Sequence, residues 1–116
     1  MLMDFIQGIA GDVCIETVNI ERATLREAEE FKRILLKDIE QDGCKYMVID
    51  LSKCEFIDST FLGAMVVSLK KITAAGGDMK LVGFKPAVHA MLELTRMFRV
   101  FETFSTVDEA IDSFRK

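Results

Sequence analysis

Near the centre of the chain, YMVIDL from Tyr46 to Leu51 is almost continuously apolar. A strand with one wet face alternates. A run like this marks a strand covered on both faces, inside a sheet with layers on either side. After a short loop a helical pattern opens at Ser59 and continues to about Ala75, where Gly76-Gly77 stops it. Met79 to Gly83 is then another short apolar strand. Strand, helix and strand in that order predict a parallel crossover.

The remaining segments fit around that unit. Leu2 to Gln7 and Asp12 to Asn19 read as strands flanking a turn at Gly8 to Gly11, with Val13, Ile15 and Thr17 alternating weakly with Cys14, Glu16 and Val18. Thr24 and Glu27 have capping-box spacing, the hydroxyl accepting from a free helix N–H while the glutamate reaches back. Leu25, Ala28, Phe31, Ile34, Leu35 and Ile39 follow at helical spacing, until Asp42-Gly43. Pro86 suits the first turn of a helix with Val88, Met91, Leu92 and Thr95 on one face. A brief strand from Arg99 to Thr103 precedes Thr106 and Glu109, a second capping-box spacing, whose helix turns Val107, Ala110, Ile111 and Phe114 inward. The prediction is one α/β domain over residues 1–116. Its mixed, mostly parallel sheet has four or five strands packed with about four helices.

Composition removes several functions. Half of the 116 residues are hydrophobic and 29% are charged, the balance of a globular chain. Acids outnumber bases 19 to 15, which argues against binding nucleic acid, where Lys and Arg must neutralise phosphates. The N-terminus lacks a secretory pattern and no apolar run approaches ~18 residues, so no membrane span and a cytoplasmic location are expected. Cys14, Cys44 and Cys54 are odd in number and show no C-x-x-C spacing. They read as reduced thiols, with neither a disulfide nor a metal site.

In α/β sheets, function gathers where strands hand over to helices, and Asp58-Ser59-Thr60 stands there. An enzymatic reading is poorly supplied. The single histidine, His89, reads as a helical surface residue, and there is no G-x-S-x-G, Walker A or G-x-G-x-x-G motif. Glu55 and Asp58 have no pocket-lining pattern around them, and nothing near Cys54, the cysteine expected to be most exposed, would lower its pKa. A small enzyme using Ser59 or Cys54 as nucleophile therefore lacks a base.

On a helical wheel Leu62, Met65, Val66, Leu69, Ile72 and Thr73 face the sheet. Ser59, Gly63, Lys70 and Ala74 lie opposite, flanked by Thr60, Ala64, Val67 and Lys71. A solvated face should be charged or long and polar, yet its first turns carry Gly63, Ala64 and Val67. That suggests a partner surface, or else a helix tucked under the chain's own loop. Ser59 is expected to open the helix with its side chain outward and its hydroxyl near free N–H groups. A phosphate there would add about −1.5 to −2 charges beside Asp58 and near Glu55, switching binding without any catalytic residue.

From Val48, VIDLSKCEFIDSTFLGAMVVSLKKITAAGGDMKLVGF resembles the bacterial anti-sigma factor antagonists, the STAS-domain proteins. Their mark is an apolar strand, a loop, D-S-[ST]-G-L-G opening a helix, and a G-G turn before the next strand. The resemblance implies that Ser59 is phosphorylated by a partner serine kinase, itself an anti-sigma factor, with Asp58 and Thr60 as its neighbours. The unphosphorylated form would bind that anti-sigma factor through Gly63, Ala64, Val67, Lys70 and Lys71 and free the sigma factor for transcription. A PP2C-type phosphatase would reset it. Nucleotide and magnesium would belong to the kinase, so no cofactor is expected here, and the chain should be a monomer or weak dimer. A scaffold or sensor subunit of a larger signalling assembly is the alternative, which the free-standing length disfavours. Two departures stand out. Phe61 replaces the family's glycine, at the edge of the core face, and Asn19 to Thr24 replaces its G-E-[IL]-D loop.

Overall fold

The computed structural model describes residues 3–115. Elements follow in the order β1 (Phe5–Ala10), β2 (Val13–Val18), β3 (Arg22–Ala23), α1 (Leu25–Glu40), β4 (Tyr46–Asp50) and β5 (Phe56–Ile57). Then come α2 (Ser59–Ala74), β6 (Asp78–Val82), α3 (Pro86–Leu94), a 3-10 turn (Met97–Arg99), β7 (Glu102–Phe104) and α4 (Val107–Phe114). Five strands form one sheet in the order β1-β2-β4-β6-β7, antiparallel between β1 and β2 and parallel elsewhere. β3 and β5 form a separate two-stranded parallel ribbon.

The continuous apolar run is explained by where its alternate side chains go. Met47 and Ile49 of β4 join the larger core beneath α1, α2 and α3, with Phe31, Leu35, Met65, Leu81 and Leu92. Val48 points to the other face, where Val13, Val82, Ala110 and Ile111 make a smaller core under α4. At the end of α2, Gly76 takes a positive φ of 88° and donates to the Thr73 carbonyl, while Gly77 donates to Ile72. This is a Schellman ending. Gly77 is also obligatory for space, since a Cβ there would sit 1.9 Å from the Lys45 carbonyl oxygen.

Several expectations are corrected. The hairpin turn is confined to Gly11-Asp12, and Gly8 is a strand residue opposite Ile15. Leu2, where the first strand was expected to start, lies outside the described residues. The last strand begins at Glu102 because Arg96, at φ 60°, turns the chain into the 3-10 segment first. Leu25 is exposed, and Thr73 also faces outward, its hydroxyl donating to the Leu69 carbonyl at 2.8 Å. Thr106 forms the hydroxyl half of its capping box, accepting from the Glu109 N–H at 3.2 Å. The cysteines differ most. Cys14 in β2 and Cys44 just before β4 are joined as a disulfide, with Cα atoms 6.4 Å apart, because neighbouring strands bring both side chains to the α1 face. Cys54 is the free one and is fully buried.

Candidate functional site

The β3–β5 ribbon sets the geometry of the site. Arg22 pairs with Phe56 and Ala23 with Ile57, and each strand runs directly into a helix. The N-termini of α1 and α2 therefore lie side by side. Thr24 caps α1 with a complete box: its hydroxyl accepts from the Arg26 N–H at 3.3 Å and Glu27 Oε1 accepts from the Thr24 N–H at 2.9 Å. Asp58 caps α2, its Oδ1 accepting from the Phe61 N–H at 2.8 Å. Its second oxygen accepts from the Leu25 N–H at 2.9 Å, so one carboxylate serves both helices. A negative charge at two positive helix ends is a favourable placement.

Ser59 is the first residue of α2 and is exposed, as expected. The cap is Asp58, which leaves the Ser59 hydroxyl without an intramolecular hydrogen bond among the described residues. Thr60 beside it is also exposed. The six residues Asn19 to Thr24 lie against this loop: the Glu21 carbonyl accepts from the N–H groups of Glu55 and Phe56 at 2.7 and 3.0 Å, and Ala23 accepts from Asp58. Glu55 is bridged to Lys85 at 2.8 Å, and that carboxylate raises the lysine's pKa.

The proposed partner face is only partly free. Ala64 is 5% exposed and belongs to the core, because the small side chains of α2 are covered by α1. Sequence spacing shows which residues point away from the sheet, and here a neighbouring helix fills that direction. Between α1 and α2 remains a shallow groove of about 300 Å³, lined by Ala28, Glu29, Lys32, Thr60, Gly63, Ala64 and Val67. Gly63 is half-buried, while Val67, Lys70 and Lys71 are exposed. Phe61 has been absorbed by the core. It is fully buried and stacks on Phe31 with ring centres 4.8 Å apart, and Phe31 stacks on Phe5 at 4.7 Å.

Nucleophilic chemistry finds no support in the geometry. Cys54, expected to be exposed, is buried, its Sγ donating to the Phe56 carbonyl at 3.2 Å, and burial pushes its pKa up. His89 is exposed and lies over Phe98, ring centres 5.0 Å apart. Among the described residues no cluster of His, Cys, Asp and Glu is suited to hold a metal ion, and no helix is long and apolar enough to cross a membrane.

Sequence reading passed over one further group. Glu16 of β2 is fully buried, and Asp38, near the C-terminal end of α1, is 2% exposed. The Gln7 amide donates to Asp38 Oδ1. No fixed N–H donor meets either Glu16 oxygen or Asp38 Oδ2 at hydrogen-bond geometry; the Glu16 carboxyl bonds Asp38 through its own proton and lies within reach of the Gln7 amide. Burial first, then the hydrogen bond and charge of Asp38, push the Glu16 pKa up to about 9. The signal was present: Glu16 shares its strand face with Cys14 and Val18, and Asp38 sits among Leu35 and Ile39 on the inner side of α1.

Comparison with known proteins supplies the family. The model of the STAS domain matches residues 21–110. A Thermotoga maritima protein, TM1081, is 32% identical over 108 residues, covering 93% of this chain and 95% of its own length. Its crystal structure superposes with a TM-score of 0.87, covering 97% of this chain and 95% of that one. The anti-sigma F factor antagonist of Paenibacillus polymyxa is 27% identical over 73 residues, covering 63% of this chain and 62% of that protein. The Bacillus cell fate determinant SpoIIAA, solved in its phosphorylated form, shares the fold with a TM-score of 0.74 at 15% identity, over 95% of this chain and 98% of that one.

Proposed function

The chain belongs to the STAS domain family of anti-sigma factor antagonists, and on that premise we propose that it is a phosphorylation-controlled partner switch whose phosphoacceptor is Ser59. One observation carries the reading: at the start of α2 the capping role is taken by Asp58, so the adjacent Ser59 hydroxyl is exposed and uncommitted. A side chain that capped its own helix would have to surrender that bond to react.

In the proposed cycle the unphosphorylated chain binds an anti-sigma factor along the α1–α2 groove, next to Ser59, and so releases a sigma factor for transcription. The same partner is a serine kinase. Ser59 Oγ attacks the γ-phosphorus of ATP held by the kinase, ADP departs, and the hydroxyl proton passes to a base of the kinase. A PP2C-type phosphatase hydrolyses the ester and restores the hydroxyl. On the folded chain alone, the dianion is favoured by the helix dipole, about 0.3–1 kcal/mol at an exposed site, and opposed by the neighbouring Asp58 charge. Against a partner surface shaped for a hydroxyl these effects no longer cancel, because an unpaired charge is desolvated there. The support is therefore for a switch of binding and not of fold.

We place the cycle in the cytoplasm, acting as a monomer or weak dimer of one domain. There the Cys14–Cys44 bond meets a reducing glutathione pool. The cycle does not use it, since Cys44 is tied to the far end of α1 through its N–H to the Asp38 carbonyl.

Phosphopeptide mass spectrometry, on protein from its native cells or incubated with the cognate kinase and ATP, tests the assignment. Phosphate on Ser59 is expected, and phosphate found consistently elsewhere with Ser59 bare ends it. Calorimetric titration with the anti-sigma partner should show Ser59→Asp binding at least about tenfold more weakly, a loss of about 1.4 kcal/mol. Ser59→Ala should bind as the wild type does and escape the kinase.

A further inference from the structure

The bond between Cys14 and Cys44 joins two unlike sulfurs. Cys14 is half-buried and lines a cleft of about 460 Å³ at the end of α1, with Gln7 and Ile9 of β1 on one side and Asp38 and Asp42 on the other. Cys44 is 5% exposed, is not part of that lining, and has its N–H held by the Asp38 carbonyl at 2.9 Å. Only one strand screens Cys14 from the open edge of the sheet. β1 is outermost, and Ile9, the register partner of Cys14, is 79% exposed. Thiol–disulfide exchange begins with a thiolate reaching one sulfur in line with the S–S bond, so access decides which sulfur is attacked. Here access is one-sided.

We propose that Cys14 is a thiol-exchange site: a small thiol without negative charge enters this cleft, attacks Cys14 Sγ, opens the bond to Cys44 and so releases the end of α1. The electrons balance in two steps. First RS⁻ bonds to Cys14 Sγ, the bond between the two cysteines breaks, and its electron pair leaves on Cys44, whose thiolate takes up the proton that RSH gave. Then a second RSH attacks the mixed disulfide, returning Cys14 as a thiol and forming RSSR. Two thiols are oxidised to one disulfide, and the protein bond gains two electrons and two protons. The site is separate from Ser59 and does not rest on its cycle.

The surroundings suit both redox states. Cys44 Sγ lies 3.3 Å from the Tyr46 carbonyl oxygen, an acceptor for its S–H once the bond is open. Cys54 does not compete, being fully buried with its Sγ on the Phe56 carbonyl. Charge selects the thiol. The proton shared by Glu16 and Asp38 leaves that pair with one negative charge, Asp42 is bridged to Lys37 at 3.3 Å, and no cation lines the cleft. A thiol with a cationic tail is therefore drawn in and one with an anionic tail repelled, a difference of two unit charges worth about fivefold in rate at low ionic strength. The bond spans 30 residues that include the whole of α1. Opening it frees the C-terminal end of that helix, while Asp58 still holds the start through the Leu25 N–H.

The test treats the full, folded chain, oxidised with cystamine, with limiting cysteamine or 2-mercaptoethanesulfonate, traps free thiols with iodoacetamide and maps the peptides by mass spectrometry. The mixed disulfide is expected on Cys14 and the alkyl group on Cys44, with Cys54 unmodified. Cysteamine should react about fivefold faster per thiolate, and salt should narrow the gap. Asp42→Asn, which leaves Lys37 uncompensated at the rim, should bring the two rates together. Two variants report access without the bond: Cys44→Ser should be alkylated at Cys14 at least about tenfold faster than Cys14→Ser is at Cys44. After full reduction the amides of Gln41, Asp42 and Cys44, which bond to the last turn of α1, should exchange about tenfold faster, and that of Leu25 should not change. The proposal is overturned if cystamine leaves both thiols free, if the mixed disulfide forms on Cys44, or if exchange requires unfolding in urea. Equal rates for the two thiols at low salt, or unchanged amide exchange at the end of α1 after reduction, overturn it as well.

Discussion

The two ends of α1 meet carboxylates in opposite circumstances. At its N-terminus Asp58 lends one oxygen to Leu25 and the other to Phe61, each at an ordinary hydrogen-bond length, where the helix dipole welcomes a negative charge. Near its C-terminus Glu16 and Asp38 share a buried site and are joined through a retained proton, at the end where the dipole disfavours a second negative charge. The first arrangement holds the fold and frees a neighbouring hydroxyl. The second keeps a proton inside the fold, and giving it up as pH rises costs stability. The donors each acid reaches make the difference: two backbone N–H groups for Asp58, and a shared proton for the buried pair.

The largest expected effect breaks the contrast at the buried acid pair. Glu16 has a folded pKa of about 9 against the ordinary 4.5 of a glutamate in water, so between those values the folded chain holds a proton that the unfolded chain has lost. Stability therefore falls as pH rises through that window, by up to about 1.4 kcal/mol per unit, and the penalty is absent below about pH 4.5. Glu16→Gln should flatten that slope and stabilise the protein at pH 8 by up to about 5 kcal/mol, read from urea unfolding at pH 5 and pH 8. A slope unchanged by the substitution would place the proton elsewhere.

At the satisfied end, Asp58→Ala removes caps from two helices at once and should cost about 2 kcal/mol at neutral pH, twice a usual cap. Asp58→Asn keeps one acceptor and should recover roughly half of that. Thr24→Ala, which touches α1 alone, should cost about 1 kcal/mol. Smallest is Ser59→Ala: with no intramolecular bond to lose, it should move stability by less than about 0.5 kcal/mol. A loss as large as that of Thr24→Ala would show that the serine caps the helix after all.

These sites were unequally legible in the sequence. The apolar run of β4, the D-S-T step and the Gly76-Gly77 stop are local patterns, and they located the crossover and the exposed Ser59 correctly. The neighbours of α2 were not local. A wheel shows that Ala64 points away from the sheet, but the arrival of α1 on that side follows from the β3–β5 pairing, which joins two-residue strands too short to leave a signal. The Cys14–Cys44 bond and the Glu16–Asp38 pair depend in the same way on how β2 sits against its neighbours. The acid could still have been suspected, because a charge on the inner face of a covered strand violates the strand's own pattern.

The two hydrogen bonds that Asp58 accepts also constrain the order of folding. Residues 25 and 58 are joined through a single side chain, so α2 can take its own cap early, while the Leu25 amide is protected only once both strands of the ribbon have paired. The first turns of the two helices should therefore open together. Native-state hydrogen exchange would register this as one shared opening free energy for the amides of Leu25 and Phe61. Chemistry performed on Ser59 would then be readable at an amide in a different helix, far away along the chain and adjacent in space.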